Sequence, residues 1–248
     1  MRRSLTYKSN INTTYGSIIF NGAIPDGSKI VSDNGWITPN LNYSFSIWIK
    51  CLDISASTNL SIILGSRVGT TSRWELYRST DNKISLAIRR GSFIVNIATP
   101  INTIITGAWH NVTLTRSSLG VYTIYVDSVV TSTSSAVATD EIANSNQKAI
   151  GCSVNNSNNQ MIQSFNGNLC HASFWNKELL LAEVQELYNS GTLSDLNATS
   201  FSADLLSWQK MDFSETLFPT VIGDASGNGN TFTSSNLVIG DLVNDYPS

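Results

Sequence analysis

Charge is scarce in this sequence. Asp, Glu, Lys and Arg make up 13% of its 248 residues, about half the share of a typical soluble domain. The 15 basic and 18 acidic residues leave a formal net charge of −3. The basic residues do not gather, and their longest runs are the pairs Arg2-Arg3 and Arg89-Arg90. A protein that grips nucleic acid needs a basic stripe to neutralise phosphates, so no nucleic-acid partner is expected. Cysteine is scarce too. Cys51, Cys152 and Cys170 are odd in number and widely spaced, which fits neither a disulfide framework nor a zinc signature. They read as small buried apolar residues. No apolar run reaches the roughly 18 residues that cross a bilayer, so no membrane insertion is expected. The N-terminus MRRSLTYKSN has basic residues with no apolar stretch behind them, unlike a secretion signal.

Catalytic vocabulary is equally thin. His110 and His171 are the two histidines, and there is no nucleophile elbow, Walker loop or dinucleotide fingerprint. A retaining glycosidase needs two carboxylates about 5 Å apart, which on one strand means alternate positions. Asp140 and Glu141 are adjacent instead, and Asp212 and Glu215 lie beyond the main strand-rich region. Asp224, Ser226, Asn228 and Gly229 imitate the start of a calcium loop. Ser235 stands where such a loop requires a bidentate Glu, which leaves a turn cluster. The chain is therefore expected to be no enzyme and to hold no metal or cofactor.

What the sequence has is alternation. Hydrophobic residues reach 41%, enough for a core, and the polar remainder is dense in Ser, Thr and Asn. Period-two patterning runs from Leu5 to about Phe174, the mark of half-buried strands. In KISLAIRRGSFIVNIA, Ile84, Leu86 and Ile88 share a face. A turn at Arg90-Gly91 follows, and Phe93, Val95 and Ile97 then share a face in return. A second hairpin spans His110–Arg116 and Tyr122–Val126. Further strands are expected at Ser17–Phe20, Tyr43–Cys51, Leu60–Leu64, Arg73–Arg78, Lys148–Cys152 and Gly167–Trp175. LLLAEVQELY, Leu179–Tyr188, breaks the pattern with apolar residues at helical spacing and is stopped by Asn189-Ser190-Gly191. These signals predict an all-β fold, a two-sheet antiparallel jelly-roll sandwich over residues 1–192 with one short helix. Residues 193–248 read as a C-terminal extension, with one possible strand at Leu205–Met211. That extension serves either as a contact arm for a partner or as an extra strand on a sheet edge.

Three segments resemble concanavalin A-like domains of the laminin-G type. Thr106–Val130 has the Trp109-His110 pair, an alternating strand ending in Arg116, and Tyr125-Val126-Asp127, with Ser128 in place of the usual Gly. Tyr43–Cys51 is similar to the early core strand. Phe165–Gly191 is similar to the closing signature, although Cys170-His171 stand where an acidic pair is common. Leu205–Glu215 with Asp224–Asn230 resembles a segment that usually precedes such a domain, and here it follows. The resemblance implies a binding or assembly role. By analogy it suggests a bacteriophage virion protein, a surface decoration or tail fibre component assembled in the host cytoplasm. Its expected partners are other virion proteins, further copies of itself as a homo-oligomer, and a host-surface or environmental glycan. A lectin-like carbohydrate-binding module is the alternative, and a glycoside hydrolase the least favoured. Sugar binding needs an aromatic platform beside planar polar groups. The candidates are Asp33, Asn34 and Trp36 in the first long loop, Trp74, Tyr77 and Arg78, and Asn156 and Asn158 in a polar loop.

Overall fold

The computed structural model describes residues 15–22, 28–32, 42–52, 60–69, 71–135, 148–155, 158 and 160–248. They form two antiparallel sheets with strands numbered along the chain. In the first sheet, β1 (Ser17–Asn21), β3 (Tyr43–Cys51), β8 (Trp109–Arg116), β9 (Tyr122–Val126), β10 (Val129–Thr133), β14 (Asn166–Trp175), β15 (Leu205–Gln209) and β18 (Leu242–Val243) take the order β10-β9-β8-β3-β14-β1-β18, with β15 also on β14. The second sheet holds β2 (Lys29–Ser32), β4 (Leu60–Val68), β5 (Ser72–Ser79), β6 (Ile84–Arg90), β7 (Ser92–Ala98), β11 (Lys148–Ile150), β16 (Val221–Ile222) and β17 (Phe232–Ser235), ordered β16-β17-β2-β11-β4-β5-β6-β7. A hairpin of β12 (Cys152–Asn155) and β13 (Gln160–Ser164) joins it at β4. The fold is the expected sandwich.

Alternation explains the core. Phe45, Ile47 and Ile49 on β3 and Val112 and Leu114 on β8 point inward, where they meet Trp74 and Leu76 of β5 and Ile84, Leu86 and Ile88 of β6. All are buried, and each such side chain contributes about 1.5–3 kcal/mol relative to exposure. The three cysteines are buried free thiols, and burial pushes those of Cys51 and Cys152 up to about 12.

The one α-helix among the described residues, α1 (Leu181–Tyr188), lies outside the first sheet. Glu183 accepts from the Leu180 N–H at 2.9 Å, satisfying a donor that a helix start leaves open. Asn189 ends the helix in the left-handed conformation (φ 44°). Val184 and Leu187 are buried with Trp175, Leu179, Leu196, Phe201, Leu205 and Trp208 in a second apolar layer. Trp48 of β3 stacks on Tyr188 at 5.7 Å.

The C-terminal extension folds back into both sheets. On one edge of β14, β1 pairs with Asn166–Leu169 and β15 pairs with Ala172–Trp175. Between those segments the register shifts, and His171 takes a positive φ of 50°. β17 then pairs with β2, and β18 with β1. Met211, Ile222, Phe232 and Leu237 enter the central core, where Phe232 stacks on Phe174 at 6.2 Å. Asp245 fixes the far end, accepting from Lys50 Nζ at 2.8 Å and Trp109 Nε1 at 2.9 Å. The extra-strand alternative is the one this structure adopts. Short apolar pieces at 205–211, 222 and 232 lack the mass for a core of their own, so they share the existing one.

The family-like motifs have structural work. Ile105 N–H donates to His110 Nε2 at 3.0 Å, so Nδ1 carries the proton given to Asp127 at 2.7 Å. Asp127 also accepts from the Asn111 N–H at 2.8 Å, and Asp127-Ser128 form a left-handed two-residue turn (φ 51° and 63°). Gly167 has φ +140°, and an added Cβ would lie 2.1 Å from the Lys50 carbonyl. That close approach is why the Phe-x-Gly motif needs glycine.

Candidate functional site

The outward face of the second sheet carries a concentrated set of polar and aromatic side chains. Trp74 and Leu76 of β5 point to the core, so Arg73, Glu75 and Tyr77 point the other way. Register aligns their neighbours: Arg67 of β4 lies opposite Arg73, and Arg73 lies opposite Arg89 of β6. Phe93 of β7 lies opposite Arg89. Four adjacent strands thus present a row running Arg67, Arg73, Arg89, Phe93.

One side of this face is closed by the β12–β13 hairpin. Its crossing over β4 depends on Gly65, where an added Cβ would sit 2.7 Å from the Cys152 carbonyl. Beneath the hairpin Glu75 is fully buried. Its carboxylate pairs with Arg67, accepts from Ser153 Oγ at 2.7 Å and faces Arg73 Nη1 at 3.4 Å. Arg67 also donates to Gln163 Oε1 on the hairpin at 3.1 Å. Removing one partner of so buried a pair would cost several kcal/mol, about 3–5, so Arg67 and Glu75 form the floor and wall of the site.

Beyond the hairpin the face is open. Phe93 is 50% exposed, and the guanidinium carbons of Arg73 and Arg89 lie 5.5 and 5.6 Å from its ring centre. Arg89 Nε donates to the Gly91 carbonyl at 2.9 Å. Asn96, exposed on β7, lies opposite Ala87, which itself lies opposite Glu75. The result is a shelf with an aromatic ring, guanidinium donors and an amide, able to hold hydroxyls and anions.

The sequence candidates fare unequally. Trp74 is 5% exposed and belongs to the core, so it offers no platform. Arg78 is also buried, donating to Leu52 O at 2.8 Å, Thr106 Oγ1 at 2.9 Å and Asn82. It ties three loop segments together rather than facing a ligand. Tyr77 is half-buried on the outward face. Asn158 sits in the β12–β13 turn, where it donates to Gln160 Oε1 at 3.0 Å, at the hairpin end that meets Arg67. Asp33, Asn34, Trp36 and Asn156 lie outside the described residues. Arg67, Arg73, Arg89 and Phe93 were not anticipated. Phe93 was expected to share a face with Val95, but the register shifts at Ile88/Arg89, adding Ile94 and turning the ring outward.

Elsewhere, Asp224 accepts from the N–H groups of Trp208, Ser226 and Asn230 at 2.9, 3.0 and 2.8 Å. Those donors complete a turn. His171 is buried against Trp208 at 5.2 Å, and burial lowers its imidazole to about 3. It borders a small cavity of about 10 Å³ lined by Ser46, Asn111 and Ser173 together with Trp48, Leu187 and Leu196, no larger than a single water site.

The fold has counterparts among solved structures. A candidate carbohydrate-binding protein of Bacteroides ovatus superposes with a TM-score of 0.66 at 18% identity over 94% of this chain. This chain spans 61% of that protein's length. The binding domain of botulinum neurotoxin DC, solved in complex with SialylT, gives 0.52 at 20% identity, covering 71% of this chain and 44% of the other. A heptameric SAP-like pentraxin of Limulus polyphemus gives 0.51 at 16% identity, covering 71% and 82%. At such identities the likeness is one of fold. No curated protein matches the sequence. The model of the laminin-G-type family of the concanavalin A-like lectin/glucanase superfamily matches residues 23–185, and the chain belongs to that superfamily.

Proposed function

We propose that this chain is a non-catalytic saccharide-binding sandwich that works within a larger assembly, namely a bacteriophage virion, as a surface decoration or fibre component. The observation that carries the binding part is the open shelf, where half-exposed Phe93 stands among Arg73, Arg89 and Asn96. Neighbours of the same fold, one a candidate carbohydrate-binding protein and one a toxin binding domain in complex with SialylT, support the ligand class. Non-catalytic action is supported by Glu75, the carboxylate of this face among the described residues. It is buried and ion-paired, and glycosidic cleavage needs two carboxylates flanking the bond.

The assembly part rests on composition and on edges. A surface low in charge has few ions to desolvate when copies or partners pack together. The strand β10, an edge among the described residues, carries Val129 and Val130 at 62% and 50% exposure, and an edge invites another strand.

A glycan array with the wild-type chain and Phe93→Ala tests binding. Signal lost in the variant supports the reading, and identical signal places binding elsewhere. Sedimentation velocity and immunogold labelling of phage particles test assembly. A monomer that labels no particle refutes it and leaves a free lectin-like module. Sustained release of soluble sugar from a polysaccharide panel would overturn the non-catalytic assignment.

A further inference from the structure

Resting on the reading that the shelf binds a saccharide, we infer that its ligand is an anionic one, a glycan bearing carboxylate or sulfate groups that Arg73 and Arg89 hold. The first reason is the row itself. Like charges placed directly opposite on neighbouring strands destabilise a sheet. Here Arg67 faces Arg73 and Arg73 faces Arg89. Glu75 supplies one negative charge against three positive ones, in a chain whose formal net charge is −3. The local sign is opposite to that of the whole chain, and the excess sits on a surface that is otherwise poor in charge.

The second reason is where the excess falls. Arg67 is spent on Glu75 and Gln163 beneath the hairpin. Arg73 reaches Glu75 only at 3.4 Å, and 24% of its side chain is exposed. Arg89 donates to a single backbone carbonyl and pairs with no carboxylate among the described residues. A guanidinium has five N–H donors in a planar fork suited to carboxylate, sulfate or phosphate oxygens, so both groups have donors to give.

The third reason is order. Phe93 lies at nearly equal distance from both guanidiniums, which holds two mutually repelling cations side by side before any ligand arrives. Preorganisation of that kind lowers the entropic cost of binding an anion. Nearby Asn96 and Tyr77 supply neutral contacts of the sort that sugar hydroxyls use. A nucleic acid is the less favoured polyanion, since among the described residues no base-stacking aromatic groove follows the row.

The test uses the full chain and paired probes in calorimetry: oligogalacturonate against its carboxyl-reduced form, and a chondroitin sulfate fragment against its desulfated form. A single-stranded DNA oligomer is the control. The expected result is binding of one charged probe, with its neutral counterpart weaker by about tenfold or more, as for a lost charge-assisted hydrogen bond. Arg89→Gln should lose a similar factor with an unchanged melting temperature, and Arg89→Lys should fall between, keeping charge without the planar fork. Affinity should drop as salt rises. Preference for uronate or for sulfate identifies the source of the anion. Equal affinity for the neutral probes, with Arg89→Gln silent, overturns this inference and leaves saccharide binding standing. Binding of DNA as tightly as of the glycans overturns it in favour of a general polyanion site. Binding of no saccharide, charged or neutral, removes both readings.

Discussion

The outward faces of the two sheets have opposite fates. On the first sheet, Trp48, His171 and Trp175 lie under α1 and the segment running to Trp208, and all three are 5% exposed or less. On the second sheet, Phe93 and Asn96 are exposed and Arg73 and Arg89 half-buried, and among the described residues one hairpin flanks them. Both sheets are built from strands of the same alternating kind, so the strands do not decide which face is covered. What differs is the chain that follows β14, which lays an amphipathic helix and one tryptophan anchor, Trp208, on the same side. A face closed this way adds stability, and a face left open is free to meet a ligand.

Cutting the chain after Thr192 should erase this contrast most severely. It removes β15 to β18, the cover over Trp175 and four residues of the central core. The truncated chain is expected to show no cooperative thermal transition by near-ultraviolet circular dichroism, and a sharp melt would mean that the sandwich stands without its tail. Next in size is Trp208→Ala on the closed face. Burial at 1% exposure predicts a loss of about 3–5 kcal/mol in urea unfolding, and a loss under 1 kcal/mol would show that the cover is loosely packed.

A pH effect of middle size comes from the stretch that passes between the sheets. Glu215 accepts from the Met211 and Gly223 N–H groups at 3.1 and 2.7 Å, and burial raises its carboxyl from 4.5 to about 7. The folded state therefore holds this proton more tightly than the unfolded one. Its contribution is complete below pH 4.5 and is lost as pH rises through about 7, an effect of at most about 3 kcal/mol. Glu215→Gln should flatten the stability profile over that window, and an unchanged slope would assign it to another group. His171 has the reverse sign, since its lowered value costs stability as pH falls below 6.5 toward about 3. The smallest effect should come from Phe93→Ala on the open face. It is expected to change unfolding free energy by no more than about 0.5 kcal/mol while removing glycan binding. A large destabilisation would mean the ring is structural.

Legibility from sequence followed burial. Tyr43–Cys51 was readable to the residue, because a strand central to its sheet shows its pattern over nine positions. The tail was readable only at Leu205–Met211, where β15 lies, since β16 and β18 are two residues each and too short for any period to appear. For the site, the parity of β5 was present in the sequence: Leu76 shares a face with Trp74, so the apolar side of that strand is the Trp74 side and Arg73 and Tyr77 take the other. The outward turn of Phe93 was not present, because a bulge follows from sheet geometry and leaves Phe93, Val95 and Ile97 looking like one face. The row of arginines was invisible for a related reason, as it is assembled by register across β4, β5 and β6.

The divided edge of β14 has a consequence for how the chain is made. Its first half is filled by β1 and its second by β15, and β1 in turn takes β18, so that Ser17 pairs with Val243. Contacts of such long sequence separation carry a high loop-closure cost before they repay it, and folds dominated by them acquire structure slowly. While this chain is being synthesised, β14 emerges with half an edge unoccupied and stays so until Leu205–Gln209 arrives. The window between those two events is when an unfilled strand edge could take a strand from a neighbouring nascent copy in place of its own.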